Sequence, residues 1–273
     1  MAILYHYTDV NGFFNILKNK KLWLSGPHNL NDHQELQWTY RKVQDILMGI
    51  QGEYAAEHVN FLWELFCRNQ YIPFTCSLSA EGDILSQWRA YAKDGTGVAI
   101  GFDSDLLPLV GHHPRRMHSY VSTMQVLYDS APQDSIIERI IRNALDDMKS
   151  NGAQSEVALD AAMYLQGLST FYKNGAFQEE KEWRIIHIPL IWGFLNTNQT
   201  TVQSAVSELK HRASGNKLVS YFEYDLSSLV SDFGVRKIVL GPKCEISNYD
   251  LELFLTINGY EKTEVVRSLA SYR

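Results

Sequence analysis

Residues 179–186 read Glu-Glu-Lys-Glu-Trp-Arg-Ile-Ile, and the alternation of charged and apolar side chains in this stretch predicts a β-strand. Because successive side chains of a strand point to opposite faces, we expect Glu180, Glu182 and Arg184 on one face. Two carboxylates and a guanidinium so close together cost repulsion and desolvation unless they bind or react with something. The apolar residues between them indicate a strand that is packed on at least one face. The alternative is an exposed charged strand with a cross-strand ion pair.

A second stretch of specific residue types lies near the start of the chain, where positions 4–8 read Leu-Tyr-His-Tyr-Thr. The pattern predicts a strand over residues 2–8. A histidine near a strand end can hydrogen-bond a ligand hydroxyl, and Thr8 can assist His6 in this. The alternative is an ordinary core or surface histidine whose hydrogen bonds are satisfied within the fold.

Residues 73–79 predict a third strand, which a polar turn joins to a helix. The small side chain of Ser77 at the strand end would let a flat ring approach the backbone, and Tyr91 from the helix could stack on that ring. Trp88 and Arg89 are adjacent, so they point about 100° apart on a helix. We expect Trp88 in the core, and Arg89 is a candidate partner for a phosphate or a carboxylate.

The chain as a whole is predicted to be one α+β domain spanning residues 1–273, with a mainly helical insertion around 130–175. A hydrophobic content of 45% and a charged content of 21% fit a soluble globular protein of 273 residues. The polar stretch 193–217 is expected to be mobile or partly helical. The formal net charge of −6 argues against a protein that coats nucleic acid, because such proteins usually carry a basic face.

Several functional classes lack their signatures. No apolar run reaches about 18 residues and the start lacks a signal-peptide pattern, so we expect a cytoplasmic protein without membrane contact. Cys67, Cys76 and Cys244 lie far apart, which favours buried small hydrophobes over a zinc site or a disulfide framework. The dinucleotide-binding fingerprint needs three spaced glycines between a strand and a helix, so Gly95-x-Gly97 predicts only a plain turn. No bound metal is expected.

In order along the chain, these blocks resemble a bacterial family known only as domain of unknown function 2971. The resemblance runs from residue 4 to residue 243, and its more specific parts are the Glu-x-Glu-Trp-Arg and Trp-x-x-Tyr blocks. The matching pieces are positions 4–8, 22–25, 31–32 with Glu35, 74–79, Trp88 with Tyr91, 97–102, Lys173, 180–184 and 239–243. The chain departs from the family pattern at His33, where a proline usually follows the Asn-Asp pair.

More distantly, the layout resembles the ADP-ribosyltransferase superfamily. That resemblance implies an α+β fold with a split β-sheet core and helical insertions, and NAD as the substrate. It implies that Glu182 stabilises the positive charge that grows on the ribose as nicotinamide leaves, and that Glu180 orients or activates the acceptor. The acceptor would be a protein, a nucleic acid or water, and the biological role would be that of a bacterial toxin or an antiphage defence protein.

The same resemblance implies which residues bind NAD. His6 would hold the ribose, and Ser77 with Tyr91 would flank the nicotinamide ring. Arg184 would either contact the pyrophosphate or tether Glu182. The full set of candidate NAD-binding residues is His6, Tyr7, Thr8, Ser77, Trp88, Arg89, Tyr91 and Arg184.

Two alternatives to a transferase stay open. The same pocket could bind a nucleotide or a partner protein without turnover, as a sensor or interaction module. The chain could instead be a metal-dependent nuclease, in which Asp32, Glu35, Glu180 and Glu182 converge on a metal ion.

Overall fold

A computed structural model of the chain describes residues 2–26, 34–68, 73–107, 121–152, 155–192, 201–225, 227 and 234–270. These residues form a mixture of helices and strands, which confirms the predicted α+β class. The strands are β1 Ile3–Thr8, β2 Lys21–Ser25, β3 Phe74–Ser79, β4 Val98–Asp103, β5 Val121–Gln125, β6 Glu182–His187, β7 Leu190–Trp192, β8 Thr201–Gln203, β9 Lys210–Ser214, β10 Lys217–Asp225, β11 Val235–Leu240 and β12 Glu264–Arg267. The α-helices are α1 Val10–Asn19, α2 Gln34–Ile50, α3 Ala56–Arg68, α4 Leu85–Tyr91, α5 Ser130–Asn151, α6 Glu156–Leu168 and α7 Asn248–Ile257, and there are 3-10 helices at Ser104–Leu106 and Gly175–Glu180.

Strand β3 is the point at which the main sheet forks. One edge of β3 pairs with β6 along the whole strand, and β5 lies beyond β6. The other edge is shared between two strands, because Ser79 lies opposite Tyr5 of β1 and Thr75 lies opposite Ser25 of β2. The strand order across the fork is β12-β11-β4-β1-β3-β2-β10-β9. The sheet therefore has two arms on the same edge of β3.

His6 lies at this fork. Its Nδ1 is 2.9 Å from the backbone carbonyl oxygen of Ser77, between the pairing of β3 with β1 at Ser79 and the pairing with β2 at Thr75. The imidazole thus takes the place of a strand partner for that carbonyl. Burial lowers the pKa of His6 by more than the Ser77 carbonyl raises it, so the neutral ring is favoured, with Nδ1–H as the donor.

Apolar side chains pack on both faces of the sheet. On one face, a cluster that includes Leu4 packs against α1 and α7, and Cys76 and Cys244 are buried in it as free thiols. On the other face, a second cluster joins Ile186 of β6 to α2, α3, α5 and α6. α5 and α6 occupy the predicted helical segment around 130–175, and the assignment of this segment as an insertion in a single domain stays a prediction. None of the described helices is long and apolar enough to cross a membrane.

The prediction of partly helical structure in the polar stretch 193–217 is corrected by the structure. Where the structure describes it, the regular elements are β8 and β9 rather than helix, while residues 193–200 lie outside the described residues. β9 is antiparallel to β10, with Ala213 opposite Leu218, and most of its side chains are exposed. A polar edge strand is held by backbone hydrogen bonds to its neighbour, so its own side-chain pattern does not reveal it.

The turn at residues 92–97 brings backbone segments close together, and it is the plain turn that the sequence predicts. The backbone N–H of Gly241 donates to the carbonyl of Gly97 at 3.0 Å, and the N–H of Lys243 donates to the carbonyl of Gly95 at 2.9 Å. A Cβ on Gly97 would overlap the carbonyl oxygen of Thr8, at the end of β1. Glycine is required here by close backbone approach.

We predict that Gly97→Ala lowers the free energy of unfolding by roughly 1–3 kcal/mol, because the added methyl group meets backbone that cannot rotate away. Urea denaturation followed by circular dichroism measures this loss. Gly52→Ala is the matched control, since a Cβ there meets nothing within 4 Å, and it should leave stability unchanged or slightly raised. Equal effects of the two substitutions would contradict the packing explanation.

Candidate functional site

The stretch 179–186 is not one continuous strand. β6 begins at Glu182, whereas Glu180 ends the 3-10 helix Gly175–Glu180. Lys181 joins the two elements in a left-handed conformation, with φ of 45°. The expectation that Glu180, Glu182 and Arg184 share one strand face is therefore wrong for Glu180 and right for the other two, because the left-handed residue breaks the alternation.

A lysine brings the two carboxylates together all the same. Lys173 Nζ lies 2.7 Å from Glu180 Oε2 and 3.1 Å from Glu182 Oε2. From the other side, Arg184 donates to both oxygens of Glu182, from Nε at 2.7 Å and from Nη2 at 2.9 Å. The four side chains form what we call the ionic network, and each is between 2% and 9% exposed. Two carboxylates and two cations cancel in formal charge, which allows the group to be buried.

Backbone carbonyls and hydroxyls complete the ionic network. Arg184 also donates from Nη1 to the carbonyl of Thr170 at 3.0 Å, and the hydroxyl of Ser79 donates to the carbonyl of Glu180 at 2.8 Å. This geometry gives Arg184 the tethering role that was one of its two expected roles.

The carboxyl group of Glu182 is held ionised. Burial alone would raise its pKa. The charge and hydrogen bonds of Arg184, the charge of Lys173 and a hydrogen bond from Ser77 outweigh burial and lower the pKa to about 2. Its backbone N–H donates to the hydroxyl oxygen of Tyr128 at 2.8 Å. Burial is also the main reason why the pKa of Tyr128 rises to about 12, so this phenol stays protonated at neutral pH.

Strand register brings several of the candidate residues onto one face of the sheet. Ser79 lies opposite Tyr5 of β1 on one edge and opposite Glu182 of β6 on the other. Directly opposed residues of antiparallel strands point to the same face, and alternate residues along each strand do too. Tyr7 and Ser77 therefore share a face with Glu182. We call this surface the carboxylate face.

His6 and Thr8 lie on the opposite face. The ring of His6 contacts the sulfur of Cys76, with 3.5 Å between Nδ1 and Sγ, and Cys76 belongs to the apolar cluster beneath α1. A Cβ on Gly12 of α1 would overlap the Thr8 side chain, which places Thr8 under the same helix. The structure therefore does not bring His6 and Glu182 to one hollow, because successive residues of β1 alternate faces and it is Tyr5, not His6, that shares a face with Ser79 and Glu182.

The helix α4 covers part of the carboxylate face. Trp88 is fully buried, as predicted, and its ring meets that of Tyr7 edge to face, with 4.8 Å between ring centroids. Its Nε1 donates to Asp83 at 2.7 Å. Tyr91 is half-buried at the edge of the same cluster, whereas Arg89 is exposed. Trp88 and Arg89 point in different directions from the helix, so the first is buried and the second exposed, as expected.

Sequence reasoning gave no role to Lys173 or Tyr128. Lys173 enters only as part of a family pattern, because its local sequence does not show that its ammonium is buried against two carboxylates. Tyr128 lies between β5 and α5, and nothing in the local pattern points to its hydrogen bond with Glu182.

The structure describes only two of the four acidic side chains that the nuclease alternative brings together. Asp32 and the side chain of Glu35 lie outside the described residues. Within the described ranges, no group of three or more His, Cys, Asp or Glu residues could hold a metal ion. Glu180 and Glu182, which are described, are bridged by the ammonium of Lys173.

Residues 87–185 match the model of a family described as a protein of unknown function, DUF2971. The matched range begins in α4 and ends in β6, so it contains all four members of the ionic network. The resemblance to this family is confirmed over that range, which is less than half of the chain. No curated protein and no solved structure matches the chain.

We predict that Lys173→Met lowers the free energy of unfolding by about 3–5 kcal/mol at pH 7, because it leaves buried carboxylate charge uncompensated. Chemical denaturation of the purified variant measures the loss. Lys181→Met is the matched control: Lys181 Nζ is 2.9 Å from Glu81, but more than half of each side chain is exposed. This exposed pair should contribute less than about 1 kcal/mol. Similar losses in the two variants would show that the ionic network is not a buried electrostatic unit.

A second prediction concerns acid stability. The pKa of Glu182 is about 2 in the folded chain and starts from 4.5, so its contribution to stability is complete above pH 4.5 and disappears as the pH falls towards 2. The full contribution is of order 3 kcal/mol. We expect the difference in unfolding free energy between the wild type and Glu182→Gln to shrink between pH 5 and about pH 2.5. A difference that stays constant over this range would contradict the ionised state.

Proposed function

We propose that the chain is an NAD-dependent enzyme of the ADP-ribosyltransferase type, which cleaves the nicotinamide–ribose bond and transfers ADP-ribose to a macromolecule or to water. One observation carries this proposal. Tyr7, Ser77 and Glu182 come from three neighbouring strands and share one face of a forked sheet, and Glu182 is held ionised there. The layout agrees with what the distant resemblance implies for the late acidic residue and the middle strand.

The chemistry follows from an ionised, immobile carboxylate. As the C–N glycosidic bond breaks, its electron pair leaves with nicotinamide and positive charge develops on the ribose. Glu182 stabilises that charge, and because Arg184 holds both of its oxygens, the carboxylate needs no reorganisation during the reaction. The acceptor oxygen or nitrogen then bonds to the anomeric carbon and loses a proton, for which Glu180 is the candidate base.

Substrate binding requires one local change, because Glu182 is only 5% exposed. The contact of Lys173 with Glu182, at 3.1 Å, is longer than its contact with Glu180, at 2.7 Å. A ribose hydroxyl that replaces the longer contact leaves Lys173 paired with Glu180, so no buried charge is stranded. In this proposal Arg184 tethers Glu182 and does not contact the pyrophosphate, while His6 fixes β1 at the fork.

The cell would supply NAD to such an enzyme in the cytoplasm, and a chain that consumes NAD or modifies macromolecules suits a bacterial toxin or an antiphage defence protein. These roles belong to the proposal.

A second candidate is a nucleotide-binding sensor without turnover. The cancelled charges of the ionic network favour it, because a carboxylate already paired with two cations has less negative potential to offer a growing positive charge. Binding of NAD with no release of nicotinamide would identify this function. Metal-stimulated cleavage of nucleic acid would instead identify a nuclease.

We predict that the purified chain releases nicotinamide from NAD and that Glu182→Gln lowers the rate by about 10²–10³-fold or more, because a preorganised electrostatic partner is lost. Chromatographic measurement of free nicotinamide, followed by detection of labelled protein or nucleic acid, tests this. Glu179→Gln is the matched control, since Glu179 is an exposed neighbour in the same segment, and it should retain full activity.

Circular dichroism spectra of both variants are needed alongside the assay, because Glu182→Gln also leaves Lys173 and Arg184 with less negative charge. A folded Glu182→Gln protein with full NAD turnover would refute the catalytic assignment.

A further inference from the structure

Cationic side chains lie in a row on one face of the arm of the sheet that β2, β10 and β9 form. Ser25 of β2 and Lys210 of β9 both lie opposite Tyr221 of β10, so every second residue of the three strands points to the same face. The cations on this face form what we call the cationic row, which consists of Lys21, Lys210, Arg212 and Lys217.

Positive charge exceeds negative charge on this face. Its acidic residues within the three strands are Glu223 and Asp225, so four cations face two carboxylates in a chain whose formal net charge is −6. Glu223 is shared, because its Oε2 lies 2.9 Å from the Nζ of Lys21 and 2.9 Å from the Nζ of Lys210. One carboxylate therefore compensates two ammonium groups only in part.

The guanidinium of Arg212 is held by an aromatic ring instead of a carboxylate. Its Cζ lies 4.8 Å from the ring centroid of Trp23, and the ring of Tyr221 lies 5.3 Å from the same centroid. The Nε of Arg212 is buried and has no hydrogen-bond partner among the described residues. The side chain is only half-buried, so a phosphate could accept hydrogen bonds from the part of the guanidinium that stays exposed.

The length of the cationic row favours a polyanion over a single phosphate group. Lys210 and Arg212 are two residues apart on β9, which corresponds to about 6.6 Å along an extended strand. Lys21 lies opposite residue 225 of β10, and Lys217 lies at the other end of β10. The row therefore extends over about 26 Å. A nucleic-acid strand carries one negative charge per phosphate along its whole length, so a row of this extent can contact several phosphates of one strand.

The rings beside the cations favour single-stranded nucleic acid over other polyanions. Trp23 and Tyr221 are half-buried and lie between Lys21 and Arg212 along the face. Because Arg212 already covers Trp23, the stacking partners that remain for an unpaired base are the ring of Tyr221 and the guanidinium itself. An acidic peptide could use the cations but has no bases to stack.

We infer that the cationic row binds the backbone of single-stranded nucleic acid. Ser25 also lies opposite Thr75, which is two residues from Ser77 on β3, so the row and the carboxylate face are on the same side of the sheet. This inference goes beyond the proposed function, because the binding requires no NAD. For the proposed transferase it favours a nucleic acid as the acceptor.

Fluorescence anisotropy of a labelled single-stranded oligonucleotide of about 20 nucleotides, titrated with the full chain at several salt concentrations, tests this inference. We expect Arg212→Gln to weaken binding about five- to tenfold and to reduce the slope of log affinity against log salt concentration by about 0.7, because one phosphate contact is lost. Arg139→Gln is the matched control, since Arg139 is an exposed arginine of α5 and the charge change is the same. It should leave both quantities unchanged.

A second variant is expected to gain affinity. Glu223→Gln removes the carboxylate that Lys21 and Lys210 share, so it should strengthen binding about threefold. Misfolding does not produce such a gain, so this variant keeps the test valid if Arg212→Gln unfolds. Thermal unfolding of each variant is measured alongside.

The outcomes separate the surface from the transferase. No oligonucleotide binding, equal effects of Arg212→Gln and Arg139→Gln, no gain with Glu223→Gln, or equally tight binding of duplex DNA or poly-glutamate would overturn the inference. Release of nicotinamide from NAD by a chain that does not bind the oligonucleotide would overturn the surface and leave the transferase standing. Oligonucleotide binding that depends on Arg212, in a chain that leaves NAD intact, would support the surface and refute the transferase.

Discussion

The buried pairing of Glu182 with Arg184 and Lys173 is the interaction on which the rest of the structure depends. An unpaired carboxylate in the dry space between sheet and helices is strongly destabilising, and two cations placed within 3.1 Å make its burial possible. Because Lys173 also binds Glu180, the 3-10 helix is attached to the sheet through the same ammonium. A single group of charges therefore positions the start of β6 and the segment between α6 and β6.

The fork at β3 determines what the ionic network can face. A strand with one fully paired edge and one shared edge joins β1, β2 and β6, which come from distant parts of the chain. Ser79 pairs with both β1 and β6, so Tyr7 and Ser77 share a face with Glu182 while His6 faces the other way. His6 in turn supplies a donor to the Ser77 carbonyl, between the two arms. The histidine that first suggested ligand binding thus has a structural partner of its own.

Period-two alternation was enough to predict β6 and to put Glu182 and Arg184 on one face, because strand geometry is local. Alternation failed at Glu180, since the left-handed backbone of Lys181 leaves no trace in a polarity pattern. The sequence could not predict that His6 and Glu182 point to opposite faces of the sheet, because this depends on the register between strands, which only the assembled sheet fixes. The family resemblance over residues 87–185 is confirmed, whereas the implied NAD chemistry stays a proposal.

The compactness of the ionic network along the chain has a consequence for how the protein folds. Its ion pairs and the hydrogen bond from Arg184 to Thr170 join residues 170–184, so closing that loop restricts few residues and costs little chain entropy. The contact between His6 and Ser77 at the fork instead spans 71 positions. Contacts that close short loops form readily, whereas the pairing of strands that are distant in the chain is slow. The charged segment would then organise early, and the joining of the two arms would limit the folding rate.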